Sequence, residues 1–327
     1  LKTSSVSHIV GNLVKVKNGY DMQVVRDIND IDVVALKKPV VTIGNFDGCH
    51  AGHQEIFRRA RLHASRIGGV TVVYTFDPHP ASVVKGVVPQ LIFTLNEKIE
   101  AVQTLGMDFL VIAPFTREIA ETHPEIFVRE TIMNRLKAEG VVVGHDFAFG
   151  RKAEGDIPFL ERMGEKLGFF VECVDPVTID NVVVSSTTIR KMILSGDVSG
   201  ASRLMIHPFR IHGPVVHGMS RGRALGFPTA NIIPDKALIP AYGVYAVYIS
   251  TADRCFKGVV NIGNNPTFGD VGTSIEAFIF DFQGDLYDQI ITIEFVEYIR
   301  GEIKFADKSY LVDQMKEDCR KAKEILS

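Results

Sequence analysis

Short apolar runs alternate with amphipathic stretches along the first two hundred residues. Val40 to Ile43 is such a run, and a helical pattern from about His53 to Ile67 follows it. Val70 to Phe76 is a second run, rich in β-branched residues. A helix beginning near Asn96, a strand at Phe109 to Ala113, a helix from about Pro124 to Lys137 and a strand at Val141 to Val143 repeat the theme. Strands that alternate with helices predict parallel βαβ units. Residues 1–203 are therefore expected to form an α/β doubly wound domain.

The pattern changes after Met205. Strand-like segments dominate at Phe209 to His217, Tyr242 to Thr251, Cys255 to Ile262, Ile275 to Asp281 and Ile290 to Tyr298. Gly and Pro punctuate them, and only about Ser309 to Ile325 reads as a helix. Closely spaced strands with turn signals predict a small antiparallel β-barrel with a C-terminal helix, over residues 204–327.

Composition adds bounds. At 327 residues the chain is long enough for two domains. A content of 46% hydrophobic and 23% charged residues, with a formal charge of −3, is ordinary for a soluble protein. That balance argues against a nucleic-acid-binding surface. Cys49, Cys173, Cys255 and Cys319 form no CxxC pair, and four scattered cysteines fit a reducing compartment. No segment resembles a signal peptide, and none approaches the roughly 20 apolar residues of a membrane span. The expectation is a cytoplasmic protein without nucleic-acid or membrane partners. No obligate protein partner is indicated.

The stretch Val41-Thr-Ile-Gly-Asn-Phe-Asp-Gly-Cys-His-Ala-Gly-His53 carries the most chemistry. A strand enters a Gly-rich turn, and the turn opens a helix. Backbone N–H groups and the positive end of the helix dipole then meet at the strand's C-terminal edge, where anions bind. Gly44, Asn45, Phe46, Asp47 and Gly48 form the candidate ATP-phosphate cradle. His50 and His53 lie three apart, so both imidazoles can face one ligand. A bare His-x-x-His pair is usually a surface feature, but the full string is far more restrictive.

This string resembles the nucleotidyltransferase superfamily that includes class I aminoacyl-tRNA synthetases. Within it, the chain resembles the bacterial bifunctional riboflavin kinase/FMN adenylyltransferase family, or FAD synthetases. Thr75-Phe-Asp-Pro-His-Pro80, Val143-Gly-His-Asp-Phe-Ala-Phe-Gly150 and Val184-Ser-Ser-Thr-Thr-Ile-Arg190 follow in matching order. The resemblance covers nearly the whole chain except about the first 20 residues. It implies that His50 and His53 contact ATP phosphates. It also implies that Ser185, Ser186, Thr187 and Arg190 close over the triphosphate, as the KMSKS loop does in synthetases. Hydroxyls and a guanidinium at a helix start suit that role, although Ser-Ser-Thr alone is an ordinary N-cap. Asp146, a candidate flavin-binding residue, is implied to lie near the flavin or ATP side of this site. His79 is read equally well as a turn residue between two prolines.

A second signature runs from Gly218-Met-Ser-Arg-Gly-Arg-Ala-Leu-Gly-Phe-Pro-Thr-Ala-Asn231. It resembles the riboflavin kinase module and lacks the Gly-Lys-Ser/Thr ending of a P-loop. The resemblance implies that Gly218, Gly222, Arg223, Gly226 and Pro228 shape an ATP-binding loop, while Thr229 and Asn231 hold Mg²⁺ and phosphates. Hydroxyl and amide oxygens suit that hard cation. Glu276 is implied to be the base for the riboflavin 5′-hydroxyl, and Arg300 to lie near the flavin. An outward-facing strand carboxylate and a surface ion pair are the plainer alternatives.

Three positions depart from the family pattern. Asn265 stands where an arginine is usual, Phe278 where a histidine is common, and Asp288 where glycine is usual. The implied function is ATP-dependent conversion of riboflavin to FMN and of FMN to FAD, with pyrophosphate released. The departures leave room for an alternative, an adenylyltransferase whose kinase barrel is weakened or only binds flavin.

Overall fold

The computed structural model describes residues 13–14, 22–31, 36–218, 226–264, 273–305 and 307–327. Contacts gather them into two compact units. One comprises the chain up to Pro89 with Phe93–Ser185; the other comprises Gln90–Ile92 with Ser186–Ser327.

The first unit is built on a seven-stranded sheet. Its strands are β1 (Leu13–Val14), β2 (Met22–Val25), β3 (Val40–Ile43), β4 (Thr71–Asp77), β5 (Phe109–Pro114), β6 (Gly140–Gly144) and β7 (Phe170–Val174). The spatial order is β1-β2-β5-β4-β3-β6-β7. Only the β1–β2 pair is antiparallel, and every other pair is parallel. Alternate residues feed two cores, one on each face of the sheet. Val41, Ile43, Val72 and Val143 join one; Val40, Val73, Leu110 and Val142 join the other. Burial on both faces is why these strands read as continuous apolar runs.

Helices α1 (Ala51–Ile67), α2 (Pro80–Val84), α3 (Leu95–Thr104), α4 (Arg117–Ala120), α5 (Pro124–Ile126) and α6 (Ile157–Leu167) lie between the strands. In α1, Ile56, Phe57, Ala60 and Ala64 form the buried face, and left-handed Gly68 closes the helix. Helix α5 is one turn only; the continuous helix predicted over 124–137 continues instead as a π-helical stretch, Phe127–Arg135. The π-helical spacing draws Val128, Ile132 and Leu136, at intervals of four, into the core. A two-stranded hairpin, β8 (Thr178–Ile179) with β9 (Val182–Val183), precedes the division between the units.

The second unit opens with α7 (Ser186–Ser195) and α8 (Val198–Met205). A closed six-stranded barrel follows. Its strands are β10 (Phe209–Val216), β11 (Thr229–Ile232), β12 (Gly243–Ser250), β13 (Cys255–Gly263), β14 (Ser274–Ile279) and β15 (Ile290–Arg300), in the spatial order β10-β11-β14-β13-β12-β15. Helix α9 (Lys308–Ile325) follows the barrel. Ile211, Val260, Ala277 and Ile293 are wholly buried, as barrel alternation requires. On the opposite strand faces, Tyr248, Val259 and Phe278 join a cluster with Ala322 of α9 and with Leu326.

Candidate active sites

Strand β3 is the topological switch of the first sheet: β4 lies on one side of it and β6, later in the chain, on the other. Ligands bind beyond the carboxyl ends of strands at such a point. The Gly44–Gly48 turn leaves β3 there. Phe46, Cys49 and Gly48 take positive φ values of 48°, 36° and 81°, so the turn is tightly wound. Asp47 is buried, and its Oδ1 accepts from Phe93 N at 2.9 Å.

His50 caps α1, its Nδ1 accepting from His53 N at 3.4 Å. With Nδ1 as acceptor, a neutral His50 carries its proton on Nε2. The two imidazoles stack with centroids 3.6 Å apart, and Phe46 meets the His53 ring edge-on. Burial, then His50, then Lys98 hold His53 well below its ordinary pKa, so it is neutral near pH 7. Burial pushes the Cys49 thiol up to about 12, which makes it a poor nucleophile. Asn45 Oδ1 and His53 Nδ1 are buried without a hydrogen-bond partner. Such atoms are rare in folded proteins and suit a ligand.

Two other predicted features sit at the same strand ends. Asp146 follows β6 and is exposed; a Cβ at Gly144 would come within 3.3 Å of its Oδ1. His79 follows β4 and caps α2 through Nδ1, accepting from Ala81 N at 3.1 Å, which gives the turn reading structural content. The triphosphate-loop candidates straddle the division between units. Ser185 ends the first unit; Ser186, an exposed Thr187 and a half-buried Arg190 start the second, on α7.

The sequence reading missed Lys98. It is 8% exposed, on α3, with Nζ 3.5 Å from Thr75 Oγ1, and Thr75 Oγ1 donates to the Asn45 carbonyl at 3.3 Å. The available signal was a charge on the buried stripe of the helix, one turn before Val102.

In the second unit, β11 pairs Asn231 with Glu276 of β14, and Thr229 with Phe278. Thr229 Oγ1 lies 3.5 Å from Glu276 Oε2. Asn261 of β13 pairs with Glu276 from the other side, so two amides flank the carboxylate in one rung. Gly218 abuts Asn231: a Cβ there would lie 2.1 Å from Nδ2, so a side chain at this position would displace the Asn231 amide. Strand β11 itself was not predicted. Gly226 takes φ 84° in the turn before it, but Gly222 and Arg223 lie outside the described residues. Arg300 makes a bidentate ion pair with buried Asp318 of α9, at 2.6 to 3.1 Å, and Gln314 adds a bond to the same carboxylate.

Residues 33–188 match the FAD synthetase family and residues 205–326 the riboflavin kinase family. A bifunctional riboflavin kinase/FMN adenylyltransferase of Haemophilus influenzae is 35% identical over 92% of this chain and 98% of its own. One from Listeria monocytogenes is 37% identical over 85% and 90%. The chain belongs to the bifunctional riboflavin kinase/FMN adenylyltransferase family.

A solved structure described as a macrolide-efflux protein of Streptococcus pneumoniae shares the fold, with a TM-score of 0.83 and 31% identity over 91% of this chain and 97% of its own. No helix among the described residues here is long and apolar enough to cross a membrane. Against the family pattern, two of the three departures have local explanations. Phe278 packs on Phe227 and Phe280, with ring centroids 5.2 and 5.8 Å away, and so belongs to the apolar cluster under α9. Asp288 takes φ 62°, the backbone that glycine adopts without strain. Asn265 lies outside the described residues.

Proposed function

We propose that this enzyme phosphorylates riboflavin in its barrel unit and adenylylates the resulting FMN in its first unit, with the functional division near residues 203–204. The observation that carries this reading is the presence of two chemically different constellations in one chain. One is rich in donors at a strand-to-helix turn; the other is rich in oxygen acceptors on a barrel rung.

In adenylyl transfer, an FMN phosphate oxygen attacks the α-phosphorus of ATP and the bond to the β-phosphate oxygen breaks, releasing pyrophosphate. The nucleophile is already anionic, so no covalent intermediate is needed. The Gly44–Gly48 turn and the α1 N-terminus receive the phosphates, and His50 Nε2 donates to charge that grows on them. Ser185, Ser186, Thr187 and Arg190 close over the triphosphate, and Asp146 serves the flavin side.

In the kinase reaction, the riboflavin 5′-oxygen attacks the γ-phosphorus and ADP leaves. Glu276 orients the hydroxyl and takes its proton. Thr229 and Asn231 would hold Mg²⁺. Their oxygens beside a carboxylate, with Gly218 leaving room, are a fitting donor set for it. The ion supplies charge neutralisation to the phosphates when bound. Arg300 acts on the flavin side through the end of β15, which its pair with Asp318 fixes to α9. The setting for both reactions is the cytoplasm.

Incubating the pure protein with ATP, Mg²⁺ and either riboflavin or FMN, then separating the flavins, tests the whole reading. FAD from both substrates supports it. FAD from FMN alone favours an adenylyltransferase with a weakened kinase, a reading to which Phe278 in place of a histidine gives some ground. No product from either overturns it.

A further inference from the structure

Lysine is the residue type least expected in a protein interior, and Lys98 is buried next to the phosphate cradle. A capping box fixes its position: Thr94 Oγ1 accepts from Glu97 N, and Glu97 Oε2 accepts from Thr94 N at 2.7 Å. That box sets where α3 starts and therefore where the ammonium points. The residue just before the box, Phe93, donates its N–H to Asp47. The segment leading into α3 thus touches the cradle through the Phe93 N–H, and Lys98 reaches it through Thr75.

We propose that Lys98 is a positioning residue for adenylyl transfer, holding the Gly44–Gly48 turn in its phosphate-receiving shape through Thr75 and Asp47. The relay is short. Lys98 Nζ meets Thr75 Oγ1, and Thr75 Oγ1 meets the carbonyl of Asn45, whose buried Oδ1 has no protein partner. The neighbouring Cys49 thiol stays protonated and uncharged near neutral pH, and the carboxylates acting on the ammonium come from two elements, Asp47 in the turn and Asp77 at the end of β4. Burial opposes its charge; these groups sustain it. Lys98 also acts on the reacting edge of the site. Together with His50 it is the charged or titratable group that bears on His53, and its positive charge disfavours a second one there. A neutral His53 keeps its own N–H donor without repelling the cation beneath the turn.

This inference rests on the first unit being the adenylyl-transfer site, and wild-type conversion of FMN to FAD checks that separately. The test compares Lys98→Met and Lys98→Arg with wild type in both half-reactions. Lys98→Met is expected to lower kcat/KM for FAD formation by about 100-fold. Riboflavin phosphorylation should stay within twofold, and Lys98→Arg should recover most of the loss. The acid limb of the FAD-forming pH profile should move to higher pH in Lys98→Met, because His53 takes up a proton more readily. Thr75→Val, which keeps the shape but removes the relay, should show a smaller loss of the same kind. This variant also covers the case in which Lys98→Met does not fold. Unchanged FAD formation in Lys98→Met or in Thr75→Val would overturn the proposal. So would parallel loss of both activities without an altered pH limb, which would make Lys98 a structural residue only.

Discussion

On the roles proposed for them, the two units would meet the phosphates of ATP with opposite chemistry. The first surrounds its cradle with donors and positive charge: the N-terminus of α1, two stacked imidazoles and the buried Lys98. The second presents acceptors: the Thr229 hydroxyl, the Asn231 amide and the Glu276 carboxylate, on neighbouring strands. The difference follows from the nucleophile. A phosphate that attacks a phosphate brings its own charge, and the protein must neutralise it. A hydroxyl that attacks a phosphate must lose a proton, and the protein must accept it. One chain can therefore run two transfers from one co-substrate without either site imitating the other.

The comparison breaks most sharply at Glu276. Glu276→Gln keeps the size of the side chain and removes the proposed base, so riboflavin phosphorylation should fall by about 10³-fold. FAD formation from supplied FMN should be unchanged when the two half-reactions are assayed apart. If both fall together, the units are not independent catalysts. The mirror test is His53→Asn, where FAD formation should fall by about 10²-fold. FMN formation from riboflavin, followed by chromatography, should persist.

The donor-rich site was more legible in sequence than the acceptor-rich one, and the reason is locality. Gly44 to His53 is contiguous, so the turn and the helix cap that make the first site are spelled out in ten residues. The second site is assembled by pairing across a barrel. Glu276 stands 45 residues after Asn231 in the chain, and only strand register brings them together. Register is a property of closure and not of local pattern. Strand β11 escaped prediction because Gly226 and Pro228 precede it and it has only four residues. Lys98 escaped because its signal, a charge on the apolar stripe of α3, looks the same in a lysine whose head reaches solvent along that stripe. Helices α7 and α8 read as part of the α/β pattern, yet their contacts gather them with the barrel. Their apolar residues, Ile189, Ile193 and Leu204, look alike whichever core they serve.

Stability offers two gentler ways to sharpen the contrast. The Arg300–Asp318 pair ties the end of β15 to α9, and Asp318 is only 3% exposed. Asp318→Asn keeps the shape but loses the charge-assisted bonds, and should cost the second unit about 2 kcal/mol. Denaturant melts of the intact enzyme should show it, with FAD formation from FMN spared at low denaturant. In the first unit, His53 titrates below its ordinary value in the folded state. As pH falls through about 6.5, the unfolded chain takes up a proton that the folded chain does not. Stability should then drop by up to about 1.4 kcal/mol per pH unit until the folded pKa is reached. His53→Asn should remove that slope, which melting curves between pH 7.5 and 5.5 would reveal.

The smallest effect is expected at Asp288, and it decides how to read a departure from the family pattern. Its φ of 62° lies in the left-handed region, where a Cβ costs roughly 1 kcal/mol and glycine costs least. The side chain is exposed, and the backbone N–H donates to the Val215 carbonyl at 2.9 Å, so the conformation is held by a bond that any residue can make. Aspartate tolerates this backbone better than most residues, which reduces the penalty further. Asp288→Gly should therefore raise the stability of the second unit by less than about 1 kcal/mol, while kinase turnover stays within twofold. A large gain in turnover would mean that the aspartate itself restrains the acceptor-rich site. No gain leaves Phe278, already committed to the apolar cluster under α9, as the departure nearest the chemistry among the described residues, since its strand partner is Thr229.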